Sequence, residues 1–161
     1  MNNLQKKNYK EKGFIVFRNV IDKKFISEIK KEIASKINNK NIFKYYEKIN
    51  SKKILRRIEK VSDNFELSRK ILRSKKILNL LKKLTNRNYV LFKDKLNFKY
   101  PGGAGYLPHI DGHFLWRDKD NKLQDGWKKY SNNFINLVLP LEKTNKKNGC
   151  IYLAKKKRYE K

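Results

Sequence analysis

His109 and Asp111 are the two residues of this 161-residue chain whose types and spacing do chemistry together. The run His109-Ile110-Asp111-Gly112-His113-Phe114 reads as extended backbone. Two positions apart on a strand, an imidazole and a carboxylate project from the same face. They would supply two of the three ligands of a 2-His-1-carboxylate facial triad, which holds Fe(II) on one side and leaves positions open for a cosubstrate and O₂. The plainer reading of the same two residues is a surface or hydrogen-bonded His–Asp pair, because His-x-Asp specifies only two positions. His113 shares that face four residues on, a distance of about 13 Å along a strand. From there it would meet a common metal only from the opposite side, unless Gly112 bends the strand, so it reads better as a pocket-lining histidine.

Other polar side chains gather in the same part of the chain. Lys95, Asn97 and Lys99 alternate ahead of the glycine-rich Pro101-Gly102-Gly103-Ala104-Gly105 and so share a strand face. They read either as a cationic surface for an anionic cosubstrate or as a solvated face. Asn136 is a lone amide inside the apolar run Phe134–Leu141; a buried amide is costly without a partner, so it is expected to face a polar pocket. Trp116 and Trp127 flank a polar stretch and read as a lid or as rings packed at the mouth of a barrel. Cys150 reads as a small buried residue.

The elements that must position these groups fall into two textures. Tyr9–Gly13 reads as a turn feeding a short strand at Phe14–Phe17. Asp22 stands at an N-cap position, and Phe25, Ile26, Ile29, Ile33 and Ile37 follow at helical spacing, which predicts a helix over about 23–37. Residues 42–60 fit either period. Ser62 or Asp63 and then Ser74 read as caps of two further helices, the second carrying Ile77, Leu78, Leu81 and Leu84. From residue 88 the pattern is β. Strands are expected at Tyr89–Phe92, Lys95–Tyr100, His109–Phe114, Phe134–Leu141 and Cys150–Ala154, with a long loop over 117–133 and a type I′ hairpin at Asn148-Gly149. Helices followed by antiparallel strands predict an α+β fold in a single domain over 1–161, helical to about 87 and β from 88 onward.

Composition bounds the rest. Hydrophobic residues make up 39% of the chain, enough for a core, and a single cysteine excludes a disulfide framework and a multi-cysteine zinc site. No apolar run reaches the ~18 residues of a membrane span, and the N-terminus lacks the apolar stretch of a signal peptide, so a cytoplasmic protein is expected. The net charge is +27, carried by 34 Lys and eight Arg against 15 acids. A polyanion partner is one reading. The excess of Lys over Arg, spread along the chain beside abundant Asn and Ile, reads better as codon-driven composition with a solvated surface, so a nucleic-acid partner is not expected.

Taken together, the segments resemble the phytanoyl-CoA dioxygenase family of Fe(II)/2-oxoglutarate-dependent oxygenases. The resemblance rests on "YKEKGFIVFRNV" (9–20) with the helix after Asp22, on "KDKLNFKYPGGAGYLPHIDG" (93–112), and on "FINLVLPLEKTNKKNGCIYL" (134–153). It implies N-terminal helices packed on a double-stranded β-helix, or jelly roll, and a dioxygenase that hydroxylates a small organic substrate. It also implies Fe(II) bound by His109 and Asp111 and 2-oxoglutarate contacts on the Asn136 strand, so Asn136 joins Lys99 and Asn97, read from their strand face, as candidates for holding 2-oxoglutarate. In that family a distal His and an Arg follow the hairpin, whereas here the chain continues Ala154-Lys155-Lys156-Lys157-Arg158. The resemblance therefore implies an incomplete jelly roll, and a chain that alone is at best a feeble oxygenase. Its exposed sheet edge would take a complementary fragment or a second copy. The contrasting expectation is a non-catalytic basic binding module or an inactive remnant.

Overall fold

The computed structural model describes residues 1–155 and shows an α+β chain. It forms two compact units. One comprises Met1–Gly102 with the segment from Leu141 onward, the other Gly103–Pro140.

The first unit opens with helix α1 (Asn3–Lys12). The Asn2 side chain accepts from Gln5 N–H while the Gln5 side chain accepts from Asn2 N–H, a reciprocal cap that starts the helix. Gly13 ends it at φ 79°, donating its N–H to Tyr9 O. The expected turn at Tyr9–Gly13 is therefore the last turn of a helix, and Phe14–Phe17 follows as extended chain without strand pairing. Helix α2 (Lys23–Lys36) begins where the sequence puts it, with Asp22 Oδ1 accepting from Lys24 N–H at 2.6 Å.

Strands β1 (Lys44–Ile49) and β2 (Lys52–Glu59) then form a hairpin inside the stretch whose pattern fits either period. Asn50 and Ser51 both have positive φ, 47° and 66°, the signature of a two-residue type I′ loop. The register slips between Tyr45 and Tyr46, leaving Arg56 as the extra residue of a bulge. Strand β3 (Lys95–Asn97) pairs on the other side of β2, giving an antiparallel sheet of order β1-β2-β3.

Two short helices between β2 and β3 are capped by carboxylates distant in sequence. The N-terminus of α3 (Val61–Asn64) donates Val61 N–H and Ser62 N–H to the two oxygens of Asp94, at 2.6 and 3.1 Å. The N-terminus of α4 (Glu66–Leu72) donates Glu66 N–H and Leu67 N–H to Glu32 of α2, at 2.7 and 2.9 Å. The expected local caps Ser62 and Asp63 do not play that role. Helix α5 (Lys75–Thr85) is capped locally, by Ser74 Oγ on Ile77 N–H, and ends at Asn86 in the left-handed region.

The core lies where α2, α3 and the start of α4 cover one face of the sheet. Ile29, Ile33, Ile42, Ile58, Val61 and Phe65 form it, with Phe65, Ile29 and Ile58 fully enclosed. Each such side chain contributes roughly 1.5–3 kcal/mol on burial. Leu96 and Phe98 pack on this cluster, so Lys95, Asn97 and Lys99 alternate away from it and are exposed.

The second unit holds a hairpin of β4 (Leu115–Arg117) and β5 (Leu123–Asp125), within and beside the region expected as a long loop. Asp118 organises its connection: Oδ1 accepts from the N–H groups of Asp120 and Lys122, and Oδ2 from Gln124 Nε2 and Lys129 Nζ. These bonds hold its carboxyl below the usual range, the Lys122 backbone bond most strongly.

Tyr89–Phe92, His109–Phe114, Phe134–Leu141 and Cys150–Ala154 are not paired strands, and the described sheets do not close into a double-stranded β-helix. Alternation makes a strand only where a neighbour supplies the ladder, and these segments have none among the described residues. At Asn148-Gly149 only Gly149 has positive φ, so the expected type I′ turn is absent. Asn145 O accepts from both Asn148 N–H and Cys150 N–H there instead. Lys156, Lys157 and Arg158 lie outside the described residues.

Candidate functional site

The candidate site belongs to the second unit and is built on a turn. His113 N–H donates to Ile110 O at 3.2 Å, and Gly112 alone of the central pair has positive φ, at 85°. Ile110–His113 is thus a type II turn with its glycine at the required position. This corrects the extended reading of 109–114: Asp111 is the first central residue of a turn, and His113 is carried past the bend.

The turn is held from behind. Gly112 packs flat on the Trp127 ring, where an added Cβ would lie 3.4 Å from Cε3. Gly126 comes so close that an added Cβ would fall on the Gly112 carbonyl oxygen. Trp127 in turn meets Phe114 and Phe134 edge-on, at centroid distances of 6.2 and 5.3 Å, and Trp116 Nε1–H donates to Gly126 O. Both tryptophans therefore brace the turn.

At the front of the turn His109 and Asp111 converge, His109 Nε2 lying 3.2 Å from Asp111 Oδ1. His109 Nδ1 is 2.6 Å from Leu107 O. A carbonyl only accepts, so Nδ1 carries the proton, and a neutral ring presents the Nε2 lone pair to the carboxylate. Two acceptors at that distance need a positive centre between them: a second ring proton or a cation. The second oxygen of Asp111 accepts from Asn136 Nδ2–H at 2.8 Å. A ring fixed through Nδ1–H to a backbone carbonyl, beside a carboxylate fixed by an amide, is the outer-shell pattern that orients metal ligands. The site is open, the two side chains being 54% and 36% exposed. The donor set fits a divalent metal with two ligands. Among the described residues no third His, Cys, Asp or Glu joins them.

Of the residues expected at the site, the structure brings His109, Asp111 and Asn136 together. His113 is felt instead at Asp125, whose carboxyl is held low first by the Lys128 hydrogen bond, then by the Lys128 and His113 charges. Asn97 and Lys99 belong to the first unit. Asn97 is the register partner of Arg57 there, and the Lys99 stem lies along Gly149. Sequence reasoning missed the Leu107 carbonyl, the Tyr106 ring set edge-on to His109 at 6.2 Å, and Gly126. Only Gly126, a glycine next to a tryptophan at the end of a polar stretch, left a trace to find.

Comparison with known proteins identifies the family. The family model for phytanoyl-CoA dioxygenase (PhyH) matches residues 9–156. The chain belongs to the PhyH family. Relatives of the chain are dioxygenases at low identity. It is 30% identical over 83 residues to dioxygenase lolE1 of Epichloe uncinata, covering 52% of this chain and 28% of the relative. It is 33% identical over 78 residues to a 2-aminoethylphosphonate dioxygenase of uncultured bacterium HF130_AEPn_1, covering 48% and 26%. A probable alpha-ketoglutarate-dependent hypophosphite dioxygenase of Stutzerimonas stutzeri is 31% identical over 87 residues, covering 54% and 26%. Each match thus spans little more than a quarter of the relative. No helix among the described residues is long and apolar enough to cross a membrane.

Proposed function

We propose that this PhyH-family chain carries the iron-binding pair of an Fe(II)/2-oxoglutarate-dependent oxygenase acting on a small anionic substrate. The observation that carries the reading is the His109–Asp111–Asn136 arrangement: two metal-type donors 3.2 Å apart, each oriented by its own hydrogen bond. His109 and Asp111 would hold the iron, and the chemistry such a centre would supply is O₂-dependent hydroxylation of a C–H or P–H bond coupled to oxidative decarboxylation of 2-oxoglutarate to succinate and CO₂. The chain's own residues do the positioning. Leu107 O fixes the tautomer that leaves Nε2 available, Asn136 keeps Asp111 turned towards His109, and Gly126 with Trp127 holds the turn that joins them.

The family's jelly roll is the fold to which we assign the two small antiparallel sheets. The dependence on 2-oxoglutarate is supported by the hypophosphite relative, which is named as alpha-ketoglutarate-dependent. Two relatives are named for phosphorus oxyanions, 2-aminoethylphosphonate and hypophosphite. A strongly cationic protein raises the local concentration of such anions. The test is succinate formation with Fe(II), 2-oxoglutarate and a panel led by these two compounds. The reading expects turnover that one of them stimulates and that His109→Ala abolishes. Turnover unchanged in His109→Ala and in Asp111→Asn would overturn it.

A further inference from the structure

The fold redistributes the charge that the sequence shows as diffuse. Residues 103–140 hold five Lys or Arg and four Asp, so 26 of the 27 net positive charges lie outside them. The β1–β2 hairpin is one basic stretch of the first unit: residues 40–59 carry seven Lys or Arg against two Glu. Of these acids, Glu47 lies 3.7 Å from Arg56 and Glu59 lies 2.8 Å from Arg57.

Three aromatic rings stand out from the same ribbon. Phe43, Tyr45 and Tyr46 are 62%, 43% and 45% exposed. Tyr45 is the register partner of Arg57, whose guanidinium lies 4.5 Å from its ring centre. Tyr46 has Lys53 at 4.5 Å from its ring centre, and Lys48, two residues along, is the register partner of Lys53. Consecutive strand residues point to opposite faces, so each face of the ribbon carries one tyrosine with its own cation. Exposed rings interleaved with cations form the platform that binds single-stranded nucleic acid: phosphates meet the charges and bases stack on the rings.

We infer that the β1–β2 hairpin is a docking ribbon for single-stranded nucleic acid, a function separate from the His109 site and independent of the oxygenase reading. Among the described residues β1 is the open edge of the sheet, and a single strand can pass around that edge from the Tyr45 ring to the Tyr46 ring, whereas a duplex, stiff over about 150 base pairs, cannot bend around it. An anionic lipid surface would satisfy the cations and leave the tyrosines without a stacking partner.

The test is fluorescence anisotropy of labelled oligo(dT) and oligo(rU) with the full chain across a salt series. Heparin serves as a polyanion without bases, and phosphatidylserine vesicles as the lipid arm. The inference expects oligonucleotide binding that Tyr45→Ala with Tyr46→Ala weakens at least tenfold, about the effect of losing one or two stacked bases. Tyr→Phe at both positions should restore it, and heparin binding should not change in either variant. Lys48→Glu with Lys53→Glu should weaken both ligands and flatten the salt slope by about 0.7 per lost phosphate contact. Far-UV circular dichroism checks that each variant folds, and failure of Tyr→Phe to restore binding counts against stacking. Oligonucleotide binding indifferent to the tyrosines, vesicle binding as tight as oligonucleotide binding, or no binding at low salt would each overturn the inference.

Discussion

Replacing Asn136 by Ala removes one hydrogen bond and nothing else of the candidate site, which makes it the sharpest probe of what that bond does. The amide donates to Asp111 Oδ2 at 2.8 Å, leaving Oδ1 towards His109 Nε2. Asn136 is exposed, so the bond contributes little to folding, about 1 kcal/mol or less, and the variant should unfold at nearly the parental urea concentration. Its effect on metal affinity should be larger. Loss of an outer-shell partner of a ligand lowers affinity by roughly 10- to 100-fold, and a tenfold loss corresponds to about 1.4 kcal/mol. Free Mn(II), measured by electron paramagnetic resonance during titration of each protein, reads this directly. The expected result is an affinity at least tenfold lower in Asn136→Ala at unchanged stability. Equal affinity in the two proteins would show that Asn136 does not orient a ligand. A large stability loss would show that its role is structural.

Three further outcomes follow from the packing around these groups. Gly126→Ala demands left-handed backbone of a residue that pays about 1–2 kcal/mol for it, and drives a Cβ into Gly112 O; metal binding should fall more than tenfold while the circular dichroism of the helices persists. Glu32→Ala uncaps α4, and urea unfolding should report a loss of about 1–2 kcal/mol, whereas a change under 0.3 kcal/mol would refute the long-range cap. Asp118 is held below its ordinary value of 3.8, first by the Lys122 backbone bond. Its charged form therefore favours the folded hairpin above about pH 3.8, and that contribution disappears as pH falls through the lower folded value. Tryptophan fluorescence should show a transition below pH 3.8 that Asp118→Asn removes, and an unchanged transition in that variant would contradict the assignment.

What the sequence made legible was local. Asp22 before α2 and Ser74 before α5 cap neighbours two and three residues away, so residue type and spacing suffice to place those helices. The caps supplied by Glu32 and Asp94 act across more than 30 residues, and no local pattern reveals them. The β1–β2 hairpin was hidden because Phe43–Ile49 satisfies both periods and its turn is Asn-Ser instead of Asn-Gly. The expected strands at Phe134–Leu141 and Cys150–Ala154 have the right alternation and no paired neighbour, because pairing is a property of two segments. At the site, the types and spacing of His109 and Asp111 singled out two side chains that do converge, but by a different geometry from the one expected. A type II turn at Gly112 brings them together where a strand face had been expected, and the same bend separates His113 from them.

The central claim is that His109 Nε2 and Asp111 share one cation, and the chain's two histidines make it directly measurable. Imidazole ¹⁵N spectra of the full chain contain two rings. Without metal, His109 should show its proton on Nδ1, as its bond to Leu107 O requires. With a substoichiometric addition of Mn(II), the His109 Nε2 signal should broaden beyond detection while His113 stays sharp, and Asp111→Asn should restore it. Selective broadening of His113, or equal behaviour of the two rings, would contradict the account.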